Sequence, residues 1–190
     1  TKEIFFNKQN LDIEKSLIVL GAGPDFIGFQ EPFAIMQIAK AIRDGKIIKD
    51  TQILVRLHPD DDIERWNEVV KMYPEILFSS PLNSKSSVKI GAFSSKSDIS
   101  LLLNTLCHSD ILINTSSSMA LDAVFYDKPV ICLAYDDNNE KGSNSLCKSL
   151  YEREHYLPIV ESNGTCIANS LEETINAINN IKYAAPKERL

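Results

Sequence analysis

Short runs of consecutive apolar residues recur along this chain, each closed by a glycine or a polar residue: "SLIVLGAG", "TQILVRL", "EILFSS", "DILIN", "KPVICLAY" and "GTCIAN". A strand with one wet face alternates apolar and polar side chains, and these runs do not alternate. Their side chains are buried on both faces, the condition of a parallel sheet held between two layers of helices. Parallel neighbours also need long crossovers, usually a helix, so the intervening segments must supply them.

They have the required spacing. "EPFAIMQIAKAIRDG" carries Ile35, Ile38, Ala39 and Ile42 at the period of an amphipathic helix, with Pro32 suited to its first turn and Gly45 to its exit. "DDDIERWNEVVKMYP" places acids where a helix N-terminus favours them. "SDISLLLNTLCHSD" reads as a helix capped by Ser97, "SSMALDAVFYD" as another, and residues 144–153 as a weak one. "SLEETINAINNIKYA" closes the series with Leu171, Ile175, Ile178 and Ile181 on one face. The Ser- and Lys-rich stretch 81–96 reads as loop with a short strand at 88–93. The expected fold is α/β: a doubly wound, Rossmann-like parallel sheet of about six strands with helices on both faces.

Residues 1–15 read as a polar lead-in, 16–182 as the domain and 183–190 as a tail. The chain begins at Thr1 without an initiator methionine, which leads to the expectation of a longer protein with a preceding N-terminal region. A net charge of −6 argues against nucleic acid as a partner, since a basic surface would favour it. No apolar run approaches the roughly 18–20 residues that span a bilayer, and the start lacks the pattern of a secretory signal. Cys107, Cys132, Cys147 and Cys166 form no C-x-x-C pair and read as free thiols in a reducing, cytoplasmic setting.

Ligands of open parallel sheets bind beyond the carboxyl ends of the strands. That edge collects Gly21 and Gly23 after the first run, His58-Pro59 after the second, Asn114 to Ser118 after "DILIN", and Asp136-Asp137 after "KPVICLAY". Ser116, Ser117 and Ser118 admit two readings. One serine would cap the following helix; three offer hydroxyls and helix-terminal N–H groups to a phosphate. Asp122 is either an acid complementing the helix dipole or an acceptor for ribose hydroxyls. His58 is either a packed histidine or a phosphate donor over the crevice. Gly21 and Gly23 allow close backbone approach, but the chain has no G-x-G-x-x-G, P-loop or G-x-S-x-G. No Cys/His cluster suits zinc. Asp60 to Asp62 reads as a helix start, so no metal is expected.

"ILVRLHPDD", "DISLLLNTLCHSDILINTSSSMALDAVFYDKPVICLAYD" and "EHYLPIVESNGTCIANSLEETINAI" together resemble the C-terminal, donor-binding domain of GT-B-fold glycosyltransferases. The similarity is greatest to the group containing the CDP-glycerol glycerophosphotransferases of teichoic acid synthesis and bacterial surface-polysaccharide transferases. It spans residues 16–181, with the motif positions at 56–59, 109–118 and 122–131. The resemblance implies that His58 and Ser116 to Ser118 meet the donor's phosphates and Asp122 its ribose. It also implies a transferase, independent of metal and of any cofactor, moving a glycosyl or polyol-phosphate group from a nucleotide-sugar or CDP-polyol donor. The glycan or lipid-linked acceptor, and the base that deprotonates it, would belong to an N-terminal domain. The full-length enzyme would work in the cytoplasm or at the inner face of the membrane, in peripheral association with it. Two other functions fit the same residues: a sugar-nucleotide 2-epimerase and a non-catalytic nucleotide- or glycan-binding module.

Overall fold

The computed structural model describes residues 1–47, 50–80, 95–136, 146–162 and 164–183. Its centre is a sheet of strands β1 (Ser16–Gly21), β2 (Thr51–Arg56), β3 (Leu77–Ser79), β4 (Ile111–Asn114), β5 (Val130–Leu133) and β6 (Cys166–Ala168). All neighbours are parallel, in the order β3-β2-β1-β4-β5-β6. The expected doubly wound Rossmann-like sheet is therefore present. The strand expected at 88–93 lies outside the described residues, as does Asp137.

Side chains of alternate strand residues enter two cores. Ile18, Leu20, Ile53, Val55, Ile111, Ile113, Ile131 and Leu133 pack on one face. There they meet α3 (Glu31–Arg43), α4 (Asn67–Met72) and α9 (Leu171–Tyr183), whose Ile35, Ile38, Val69 and Ile178 are fully buried. Leu17, Val19, Leu54, Leu112, Val130 and Cys132 pack on the other face. That face is covered by α1 (Lys2–Lys8), α5 (Lys96–His108), α6 (Met119–Val124), α7 (Leu146–Tyr151) and α8 (Leu157–Glu161). A short helix, α2 (Asp25–Gly28), lies in the connection from β1 to α3.

Three local readings change. Residues 1–15 are more than a polar lead-in: α1 carries Phe5 and Phe6 into the second core, where the Phe5 ring lies 5.6 Å from His108. The cap of α5 is Ser95, not Ser97. Its hydroxyl accepts the Asp98 N–H while Asp98 accepts the Ser95 N–H, a reciprocal capping box. The segment after Asp60 begins as a 3-10 turn (Ile63–Trp66) before α4, with the Asp62 side chain accepting the Glu64 N–H. The four cysteines are free.

Candidate functional site

The order of the strands reverses between β1 and β4, and this is the switch point at which doubly wound sheets bind their ligands. Gly21 and Asn114 are register partners there. The segments after them, Ala22 to Pro24 and Thr115 to Ser118, form the two lips of the crevice. The structure thus brings Gly21, Gly23 and the serine loop to one place. Gly21 lets the flexible side chain of Met119, the first residue of α6, lie close over the strand end: a Cβ there would be 2.8 Å from Met119 Sδ.

The serine loop is held largely by the protein itself. Ser116 sits in the left-handed region at φ 49° and donates its N–H to the Tyr151 hydroxyl at 3.0 Å. The Tyr151 hydroxyl in turn donates to Leu133 O at 2.9 Å. Ser117 donates its N–H to Asn114 Oδ1, and its hydroxyl accepts the Met119 N–H at 3.3 Å. Ser117 is thus the turn-forming serine. Ser118 is exposed and its side chain caps nothing. Its N–H and hydroxyl, with the Ser116 hydroxyl, are the donors without a protein partner among the described residues. The Tyr156 hydroxyl packs beneath the loop, 3.4 Å from both Asn114 Oδ1 and Ser117 O.

His58 lies two residues past β2 with its side chain about a third exposed. Nδ1 accepts the Asp60 N–H at 3.1 Å, which leaves the proton of the neutral ring on Nε2 as an outward donor. Asp122, the fourth residue of α6, is half-buried. No hydrogen bond or ion pair joins His58 or Asp122 to the serine loop among the described residues. Asp136 Oδ1 accepts the Cys147 N–H at 3.3 Å. Among the described residues no three His, Cys, Asp or Glu side chains converge as cation ligands.

Sequence reasoning missed a buried, multiply bonded acid at the site, Glu31. It opens α3 yet is only 1% exposed, and its carboxyl accepts the Gly23 N–H at 3.0 Å and Arg65 Nη2 at 3.3 Å. Thr115, on the other lip, also hydrogen-bonds it. Arg65 grips Asp61 through Nε at 2.6 Å and Nη2 at 2.9 Å, and donates to Gly28 O and Gly23 O. Burial raises the Glu31 carboxyl to about 8 against the pull of Arg65. Gly28 makes room for it, since a Cβ there would overlap Glu31 Oε2. The only local signal was an acid before a proline, which reads equally well as an ordinary helix start. A shallow cavity of about 350 Å³, lined by Lys15, Thr51, Gln52 and Glu75 among others, lies at the opposite, amino end of β2 and holds none of these residues.

No protein-family model matches the chain. No curated protein matches it either. Solved structures do. Escherichia coli ADP-heptose LPS heptosyltransferase II superposes with a TM-score of 0.57 at 12% identity, over 95% of this chain and 50% of that one. The wall teichoic acid polymerase TagF gives 0.59 at 16%, over 99% and 40%. UDP-GlcNAc 2-epimerase from Neisseria meningitidis, bound to UDP-GlcNAc, gives 0.59 at 13%, over 99% and 43%. The fold is that of one half of a GT-B structure. The chain spans half the length of these neighbours or less, and at such identities the likeness is one of fold.

Proposed function

We propose that the chain is the donor-binding half of a GT-B transferase that moves a glycosyl or polyol-phosphate group from a nucleotide-activated donor to a glycan acceptor. The observation that carries this reading is the meeting of Gly21, Gly23 and the Ser116 to Ser118 loop at the switch point, with the Ser118 N–H and the Ser116 and Ser118 hydroxyls unpaired among the described residues. In this reading the donor's diphosphate rests on Ser116 and Ser118, His58 donates from Nε2, and Asp122 meets the ribose. Bond breaking leaves negative charge on the departing diphosphate, and fixed donors already in place stabilise it without reorganisation. The acceptor, and the base that activates it, belong to a second domain of the full-length enzyme.

A second reading rests on a specific observation: UDP-GlcNAc 2-epimerases superpose on the chain as well as the transferases do. Both readings require nucleotide binding at the same crevice and differ in the product. NMR titration of the chain with UDP, CDP, GDP and CMP tests the shared part, and the expected result is shifts confined to residues 21–23, 56–59 and 115–122. No shift with any of them at millimolar concentration would sink both readings. Incubating the full-length protein with a labelled nucleotide-sugar then separates them: label in a glycan means transfer, and an epimeric nucleotide-sugar means epimerisation.

A further inference from the structure

The last residues of the central strands form a transverse row: Ser79 pairs in register with Arg56, Arg56 with Gly21, and Gly21 with Asn114. Side chains alternate along a strand, so these residues share a face with Leu77, Leu54, Val19 and Leu112 of the second core. The row is deeply buried: Arg56 is 8% exposed, Ser79 4% and Asn114 0%. Yet Arg56 Nη1, Ser79 Oγ and Asn114 Nδ2 have no hydrogen-bond partner among the described residues. Buried polar groups are nearly always paired, and of the five unpaired buried atoms among the described residues three fall on this one row, Gln37 Oε1 and Thr165 Oγ1 being the others.

The chemistry of the three atoms is one-sided. Asn114 already spends its acceptor, Oδ1, on the Ser117 N–H and the Tyr156 hydroxyl, and its remaining donor has beside it the sulfur of Cys132, a weak acceptor. Arg56 has donors alone. The Ser79 hydroxyl can donate as well. Asp98 of α5 favours the charge on Arg56, and its carboxylate also accepts from the Ser95 N–H and hydroxyl. A buried guanidinium with donors left unpaired is costly, and a partner that brings negative charge and acceptor oxygens removes the cost. Gly21 lies between Arg56 and Asn114, with the thioether of Met119 and Leu112 Cδ1 as the nearest side-chain atoms over it. Methionine is unbranched and changes rotamer readily, so it can uncover the row.

We infer that Arg56 and Asn114, with Ser79 beside them, form an oxyanion-binding row beneath Met119 in the crevice, and that they take a phosphate group deeper than the serine loop does. The inference extends the proposed donor site to residues of the sheet itself and rests on that reading only for where the phosphate comes from.

Two variants test it on the chain as it stands, with pyrophosphate and UDP as probes. Asn114→Asp keeps Oδ1 for Ser117 and Tyr156 and replaces the unpaired donor by an acceptor. Arg56→Met removes the buried charge and keeps an apolar stem. Calorimetric titration should show each variant binding pyrophosphate and UDP roughly ten- to a hundredfold more weakly than the parent. Without anion, Arg56→Met should melt no lower than the parent. Parent-like affinity in both variants, or an Arg56→Met protein that melts lower and binds as before, would overturn the inference and make Arg56 a structural partner of α5. If the parent binds UDP and the variants bind it equally well, the proposed function survives and this row does not. If the parent binds pyrophosphate through the row but no nucleotide, the row stands and the nucleotide reading falls. A parent that binds neither overturns both.

Discussion

Glu31 is the side chain whose protonation most affects this fold. Its carboxyl is raised from 4.5 to about 8 in the folded chain, chiefly by burial, with Arg65, Asp61 and Cys147 as the neighbouring ionisable groups. The folded protein therefore holds a proton that the unfolded chain has released. Stability from this group is complete below about pH 4.5, declines as pH rises and is lost through about pH 8. Each pKa unit is worth about 1.4 kcal/mol, so Glu31→Gln, which keeps an acceptor for Gly23, should flatten the profile. Urea denaturation at pH 5, 7 and 9 checks this: the parent should lose several kcal/mol more than the variant across that range. Equal losses would mean that Glu31 is ionised throughout. The serines divide in a similar way. Ser117→Ala removes the acceptor of the Met119 N–H and should lower stability by about 0.5–2 kcal/mol. Ser118→Ala touches no internal bond and should leave the melting curve in place while weakening nucleotide binding. The paired measurement is a melt and a UDP titration on each variant, and a Ser118→Ala protein that binds UDP like the parent would leave the loop a turn and nothing more.

At the scale of elements, the crevice is built by pieces that come from far apart in sequence. The tyrosine that fixes the left-handed Ser116 is contributed by α7, 35 residues away. The arginine that ties α3 to the first lip belongs to the 3-10 turn after β2, 34 residues from Glu31. Tyr151→Phe tests the first of these. The Ser116 N–H, part-buried, would be left without its acceptor, a loss of about 1 kcal/mol, and the loop would lose its anchor to Leu133. Hydrogen exchange should show faster exchange at Ser116 to Ser118 in the variant, with β1 and β2 unchanged. Uniform loosening of the whole sheet would instead mean that Tyr151 acts as general core packing. These elements also explain why the segment readings were uneven. The helix ending at Arg43 announces itself by period, and its observed span, Glu31–Arg43, agrees with the spacing. α1 was hidden because two adjacent phenylalanines in a polar segment show no period, and they are buried only because α5 lies beside them.

For the molecule as a whole, the proposed function is one without a cation: hydroxyls, backbone N–H groups and the Arg56 row would supply the positive potential. Nucleotide binding should therefore persist in EDTA, measured by the same titration with and without chelator. Binding lost on chelation and restored by magnesium or manganese would assign the acids near Asp136 a ligand role. Much of this molecule could be read in one dimension. Continuous apolar runs imply a sheet buried on both faces, helical period between them implies parallel crossovers, and the two together place every polar cluster at the carboxyl edge. Gly21, Gly23, His58 and Ser116 to Ser118 were legible in that way, because position along a strand is a local property. The order of the strands was not, since β1 pairs with β2 and β4 through contacts that no local spacing encodes. Only that order makes Gly21 and Asn114 neighbours, sets Arg56 and Ser79 on the same row, and closes Glu31 between Gly23 and Thr115. Sequence determined which residues stand at the edge; tertiary pairing decided which of them lose their water, and with it which are left needing a partner.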